Sequence, residues 1–493
     1  MSLLKLTLCT LTTLLISVCG YSQIQNAGFE NKQTETTNMI TNWGFKPREG
    51  FKSSIDKEIR HSGSQSLKLT SQDSKPGVWN PFSQMVPIKA DHLKRIAINA
   101  YIKCTDVKEE VALWCQIRDE NDKMIGFQNF DGQGIKISGT ADWKKYSLLL
   151  TVAPKAKNLL LGGYLMGTGT VWFDDFEIED LNKDKTPPSS AVSAYCNEFI
   201  NIIKQNSLFT DSLNWVEIEA NVRELSKGVK TVQEARFLAD YLIEKLRSAG
   251  DNHSFIQDKV STEKYTKVNS NPNKPESKLL SANIGYISVP GFSSTNPDVS
   301  LQFASNIQNM IRKMDNQTNI KGWIVDLRGN TGGNMYPMIA GLGPLIGEGN
   351  LGYFVKTVNK KEQKNNWYYT NGKCGAGKGV TLTVPNPYKI KNKNTKIAVL
   401  IGPRTSSSGE MTTISFIGKK TAKLFGASSG GYTTANGSFK ISDGSTLLLA
   451  SSYTADRNGN KFLQKISPDV IVTKGKDGSD ADIKAAETWL NDH

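Results

Sequence analysis

Lys396-Ile397-Ala398-Val399-Leu400-Ile401-Gly402-Pro403-Arg404-Thr405-Ser406-Ser407-Ser408-Gly409-Glu410-Met411-Thr412-Thr413-Ile414 is the stretch whose reading decides the fold. Its first six residues form a buried-strand pattern, Gly402-Pro403-Arg404 breaks it, and Glu410 onward starts a helix. Ser407 therefore falls on a strand-to-helix turn. Backbone N–H groups at a helix start point outward and favour negative charge. A serine placed there can attack a carbonyl while the next N–H, that of Ser408, helps hold the oxyanion. The same place also suits a plain helix cap, because Ser and Thr are the usual N-caps.

A second segment bears on that choice. Gly322-Trp323-Ile324-Val325-Asp326-Leu327-Arg328-Gly329-Asn330-Thr331-Gly332-Gly333 is a buried strand running into a glycine-rich loop, where bare backbone can approach a substrate and supply an N–H. Strands and helices alternate around both segments. A strand over 284–289 precedes a helix over 299–314, a strand over 323–327 precedes a helix near Tyr336, and a strand over 397–401 precedes the helix after Gly409. The pattern predicts an α/β core.

The order of Ile284-Gly285-Tyr286-Ile287, the Asp326-to-Gly333 loop, the Thr405-to-Glu410 turn and Ser467-Pro468-Asp469-Val470-Ile471-Val472 resembles the carboxy-terminal processing and tricorn peptidases. The match covers roughly residues 190 to 493 and implies a crotonase-like α/β serine peptidase core over 279–493. By that resemblance Ser407 matches the family nucleophile, and Gly332 or Gly333, with Ser408, matches the oxyanion hole. Asp326 and Arg328 are expected to fix the loop rather than react. The processing branch carries a lysine about 25 residues after its serine, but Tyr432 stands there in this chain. The tricorn-like branch uses a histidine before the core, and Asp251-Asn252-His253-Ser254-Phe255 resembles that motif.

Composition agrees with His253 as the base. The chain has four histidines, of which His61 and His92 lie in the first third and His493 is the last residue, leaving only His253 in the peptidase-like part. An ordinary imidazole, with a pKa of about 6.5, can accept a serine proton near neutral pH. The third member is open. Phe462 occupies the place where the tricorn-like pattern has a glutamate, and Asp456, Gln464 or Glu410 are the candidates for orienting the histidine. With Phe255 only about 30 residues before the first core strand, the sequence leaves no room for a peptide-gripping PDZ domain.

Outside the core, a domain prior of roughly 150 residues predicts about three units in 493 residues. Residues 1–22 have the layout of a secretory signal with cleavage after Ser22, although Val18-Cys19 also resembles a lipoprotein box. No later stretch is long and apolar enough for a membrane helix, so an exported, periplasmic or secreted protein is expected, without stable membrane insertion. Residues 24–180 read as short alternating strands with five of the nine tryptophans, Trp43, Trp79, Trp114, Trp143 and Trp172. The features from Asn26-Ala27-Gly28-Phe29-Glu30 to Val171-Trp172-Phe173-Asp174-Asp175-Phe176 resemble the jelly-roll β-sandwich of carbohydrate-binding modules. That resemblance makes a glycan a possible partner, while most sandwich tryptophans are core. Residues 181–190 read as a linker, and 191–255 as a small helical domain in which Phe199, Ile202 and Ile203 share one face and Phe237, Leu238, Leu242 and Leu246 another.

Other signals exclude more than they offer. The formal charge of +13 is spread along the chain, with its densest groups, at 360–364 and 389–393, in loop-like sequence, so a solvated surface is expected and not nucleic-acid binding. Cys104, Cys115, Cys196 and Cys374 match no zinc spacing, and no metal or cofactor is expected. Cys104 and Cys115 are either paired on adjacent strands or buried free thiols. Gly372-Lys373-Cys374-Gly375-Ala376-Gly377-Lys378-Gly379 nearly spells a phosphate loop, but it lacks the final Ser or Thr and a leading strand. Acidic turns at 119–122 and around Asp477 and Asp480 are expected to be solvated rather than calcium sites. The functional expectation is acyl transfer to Ser407 with a protein or peptide substrate. The alternative is a weakened or inactive peptidase fold that binds glycan or peptide.

Overall fold

The computed structural model describes residues 24–31, 40–46, 48–91, 93–259, 261–262, 274–280, 283–358, 361–473 and 479–492. The signal-like segment, His92, Asp477 and His493 lie outside the described residues. Two compact units are present. One holds the described residues up to Pro188 together with Arg223–Val229, and the other holds Ser189–Val222 with the described residues from Lys230 onward.

The first unit is an antiparallel β-sandwich. Its strands are β1 (Gly44–Phe45), β2 (Phe51–Asp56), β3 (Ser66–Ser71), β4 (Trp79–Pro87), β5 (Lys94–Val107), β6 (Glu110–Arg118), β7 (Met124–Asn129), β8 (Gly139–Val152), β9 (Asn158–Met166) and β10 (Gly169–Asp180). They form two five-stranded sheets of order β1-β4-β9-β6-β7 and β2-β3-β10-β5-β8. Alternation along the strands turns one side of each inward. At the centre the rings of Phe29, Trp43, Phe82 and Phe176 touch, with Phe29 and Phe82 6.2 Å apart edge to face. Trp43, Trp114 and Trp172 are buried, so most of these tryptophans are core. Cys104 on β5 and Cys115 on β6 are in different sheets rather than on adjacent strands, and both are buried free thiols.

The second unit begins with helices Ser190–Asn206 and Arg236–Ser248, the first capped by the Ser189 hydroxyl. They cluster with the α/β core rather than as a unit of their own. The further strands are β11 (Phe255–Gln257), β12 (Glu276–Leu280), β13 (Ile284–Ser288), β14 (Gly322–Asp326), β15 (Gly349–Val358), β16 (Lys361–Thr370), β17 (Lys373–Ala376), β18 (Leu382–Thr383), β19 (Lys396–Ile401), β20 (Ala422–Gly426), β21 (Ala435–Lys440), β22 (Thr446–Asp456), β23 (Lys461–Phe462) and β24 (Val470–Ile471). One sheet runs β12-β13-β14-β19-β20-β24, parallel from β13 to β24. Period-two alternation sends Val325, Val399 and Ile401 to one face, against Ile307 and Ile311 of helix Pro297–Gln317 and Ile339 and Leu342 of helix Met335–Ile346. Ile324, Ala398 and Leu400 go to the other, against Ala486 and Leu490 of helix Ala481–Asn491. Covering both faces is what a parallel sheet requires.

The second sheet was not visible in the sequence. Its order is β11-β22-β15-β16-β17-β18, with β21 and β23 also paired to β22. Two readings are corrected by it. Residues 361–364 are not loop but part of β16, their lysines exposed as expected of a solvated surface, because a strand with one open face tolerates Lys, Glu and Gln. The phosphate-loop lookalike does have a leading strand, β16, but the chain turns back through β17 as a hairpin rather than opening a helix.

Candidate active site

Three chain crossings build the site, and each is locked by backbone chemistry. Ser407 has φ 52° and ψ −118°, in the half of conformational space that L residues rarely adopt. Such a backbone costs of order 1–3 kcal/mol and persists only when its surroundings fix it. Here Glu410, fully buried, accepts the N–H groups of Ser407 (2.8 Å) and Tyr432 (2.9 Å) with Oε2, and the N–H of Gly431 (2.9 Å) and the Ser429 hydroxyl with Oε1. Burial holds this carboxyl above the ordinary carboxylate range, opposed by those donors. Glu410 therefore ties the serine turn to the 429–432 loop.

The second crossing is the loop after β14. Asn330, fully buried, donates from Nδ2 to the Val289 carbonyl (3.1 Å), accepts the Gly332 N–H on Oδ1 (3.0 Å), and accepts the Ser406 N–H on its own carbonyl (3.0 Å). A Cβ on Gly409 would meet that carbonyl at 2.6 Å, so glycine is required where the helix passes the loop. Gly332 and Gly333 have φ of +102° and +111°. The sequence offered either as an oxyanion donor, and the hydrogen bonds separate them. The Gly332 N–H is spent on Asn330, whereas the Gly333 and Ser408 N–H groups make no hydrogen bond among the described residues, and both residues line the open cleft. Arg328 lies outside that lining, bridged to Asp326 (2.6 Å), Asp480 (2.7 Å) and Asp482 (2.8 Å). It joins the end of β14 to helix Ala481–Asn491.

The third crossing brings His253. Asp251, buried at the exit of helix Arg236–Ser248, accepts the N–H groups of His253 and Ser254, both at 2.9 Å. The Ser254 hydroxyl accepts the Ala450 N–H (2.9 Å), and β11 pairs with β22, which docks the turn on the second sheet. The result is an imidazole whose Nε2 lies 3.0 Å from Ser407 Oγ, across 154 residues of chain. Its Nδ1 lies 3.0 Å from Thr434 Oγ1. Burial lowers the His253 pKa below its ordinary 6.5, opposed by the Thr434 main chain and the charge of Asp251. The ring of Tyr432 stands edge-on to the imidazole, 5.5 Å away.

None of the three orienting candidates hydrogen-bonds His253. The Asp456 carboxylate is consumed by its own turn, accepting the N–H groups of Asn458 (2.8 Å) and Asn460 (2.9 Å). Gln464 is exposed, and its carbonyl accepts the Thr433 hydroxyl (2.9 Å). Glu410 serves the serine turn. The group at Nδ1 is Thr434, which the sequence reading missed because one threonine among many carries no local signal. Asn330 was legible only in retrospect, as the amide inside Gly329-Asn330-Thr331-Gly332.

Ser407, His253, Gly333, Ser408 and Thr434 all line one cleft of about 1530 Å³ in the second unit. The arrangement is a hydroxyl with an adjacent neutral base and two free N–H groups near it, the equipment of acyl transfer. Among the described residues no group of His, Cys, Asp and Glu could hold a metal ion.

The profile of peptidase family S41 matches residues 283–472. The nisin-resistance protein of Lactococcus lactis subsp. lactis is 33% identical over 293 residues, which cover 59% of this chain and 86% of that protein. A lipoprotein from Streptococcus agalactiae has a solved structure with 26% identity and a TM-score of 0.49, covering 61% of this chain and 96% of that one. The xylan-binding domain CBM22-1 of Paenibacillus barcinonensis Xyn10C has 19% identity and a TM-score of 0.22, over 31% of this chain and 92% of that one.

Proposed function

Because the chain belongs to peptidase family S41, we propose that it is an exported serine peptidase that hydrolyses peptide bonds through an acyl-enzyme on Ser407. The observation that carries this reading is the 3.0 Å contact between His253 Nε2 and Ser407 Oγ. For Nε2 to accept the serine proton, the ring proton must sit on Nδ1, where Thr434 Oγ1 receives it. Ser407 Oγ attacks the peptide carbonyl carbon, His253 takes the hydroxyl proton and passes it to the leaving amine, and the N–H groups of Gly333 and Ser408 hold the oxyanion. Water then cleaves the acyl-enzyme with His253 again as base. Nothing in this sequence of steps calls on a cofactor.

Ser407→Ala and His253→Ala should each lower kcat/KM on a cleavable peptide by about a thousand-fold or more. A fluorophosphonate should label Ser407 in the wild type and neither variant. Wild-type turnover in both variants would overturn the assignment, and a wild type that neither labels nor cleaves would favour a binding protein on a peptidase fold. Export rests on the signal-like residues 1–22, and the mass of the mature N-terminus tests it. Among the described residues no helix is long and apolar enough to cross a membrane. A glycan partner for the sandwich is supported by Trp79, 38% exposed and packed edge-on to Tyr164. Quenching of tryptophan fluorescence by oligosaccharides, lost in Trp79→Ala, would test that.

A further inference from the structure

The charge lining the Ser407 cleft is one-sided. Its lining includes Lys356 on β15, Lys440 at the end of β21, Arg247, and Lys364 on β16, which lies over the Tyr353 ring (6.0 Å) and in the field of Glu362, and no aspartate or glutamate stands among the described lining residues. Period-two alternation puts Phe354 and Lys356 on one face of β15, and the cross-strand partners of these two residues, Asn365 and Gln363, also line the cleft. On the other strip Lys440 is paired with Thr446, and Thr446 with Gln257, both neutral and both lining. Some lysines elsewhere in this unit are neutralised by carboxylates, as in Lys245 with Glu217 (3.2 Å) and Lys461 with Glu362. Lys356 and Lys440 have none among the described residues. Arg247 is bridged to Glu244, a side chain that does not reach the lining.

Unpaired cations in a concave site focus the field and attract the opposite charge. We propose that the cleft selects peptides carrying aspartate or glutamate side chains close to the scissile bond, with Lys356 and Lys440 as the groups that read them; this rests on the peptidase reading of the same cleft. The asparagine, glutamine and threonine side chains of the lining can hydrogen-bond a peptide backbone without preference for charge, and Arg247 and Lys364 each have a glutamate nearby, which leaves Lys356 and Lys440 to discriminate.

The experiment uses the full chain and quenched-fluorescent peptides of one length, all amidated at the C-terminus, with Glu, Gln or Lys in the residues flanking the scissile bond. Turnover is measured with the wild type, and binding by anisotropy with Ser407→Ala, which does not depend on chemistry. The Glu peptide should exceed the Gln peptide by about ten-fold in kcat/KM and in affinity at low salt, and the Lys peptide should be poorest. The preference should shrink as ionic strength rises past about 0.1 M, where the screening length is about 10 Å. Lys356→Glu/Lys440→Glu should reverse the ranking, while Lys313→Glu, an exposed lysine outside the cleft, should leave it unchanged. Equal turnover of the three peptides, a ranking changed as much by Lys313→Glu, or cleavage only of a free-acid version of the Gln peptide, run beside the amidated set, would each overturn the proposal while leaving the peptidase reading intact. Charge-ranked binding to Ser407→Ala without any wild-type turnover would do the reverse.

Discussion

At the scale of single residues, the departure from a carboxylate-supported histidine is chemical. A carboxylate at Nδ1 would stabilise the imidazolium by charge, whereas Thr434 offers a neutral hydroxyl at 3.0 Å. A neutral hydrogen bond contributes about 1 kcal/mol, so Thr434→Val should lower kcat by about five-fold and Thr434→Ser should restore most of it. In the wild type the direction of the pH dependence is already set. Burial lowers the His253 pKa, so the neutral base survives to lower pH, and activity is lost as pH falls through a value below 6.5. Fluorophosphonate labelling rates against pH measure this, and an acid midpoint above 6.5 would contradict it. Neither Thr434 nor the spent carboxylate of Asp456 was legible in the sequence, because which side chain meets an imidazole 181 residues away is decided by folding alone.

At the scale of elements, the loop after β14 and the turn after β19 work as one piece. Parallel pairing of β14 with β19 sets them side by side, with Asp326 opposite Leu400, and Asn330 links both. Gly333→Ala is the sharpest probe. An added Cβ would lie 2.0 Å from the Phe292 carbonyl, at φ +111°, so the loop must move and its free N–H with it. Loss of one such donor costs about a hundred-fold or more in kcat. Gly329→Ala is the control, since a Cβ there meets nothing within 4 Å, and it should keep near-normal turnover. Equal losses in the two variants would show that the loop is merely fragile. These elements were legible because their strands are continuous apolar runs bounded by glycine and proline. Strands β15 to β18 were not, since a sheet with one wet face mixes Lys, Asn and Gln into its strands and hides the period.

At the scale of the whole molecule, the sandwich and the peptidase unit each have a hydrophobic core of their own. Calorimetry should therefore resolve more than one transition. Phe82→Ala, which empties the centre of the sandwich, should cost about 3–5 kcal/mol there and lower one transition while the temperature at which Ser407 labelling fails stays fixed. Movement of both together would show that the cores unfold as one. The sequence by itself determined the fold class, through strand and helix alternation and the resemblance to the processing and tricorn peptidases, and it offered Ser407, the glycine loop and His253 as candidates, because those motifs are local and histidine is scarce. Only the tertiary structure decided which glycine keeps a free N–H, which group faces Nδ1, and that the lysines of two distant strands share one cleft without a carboxylate. Those are relations between residues far apart in the chain, fixed by sheet pairing and by where each buried polar group finds its partner, and no local pattern encodes them.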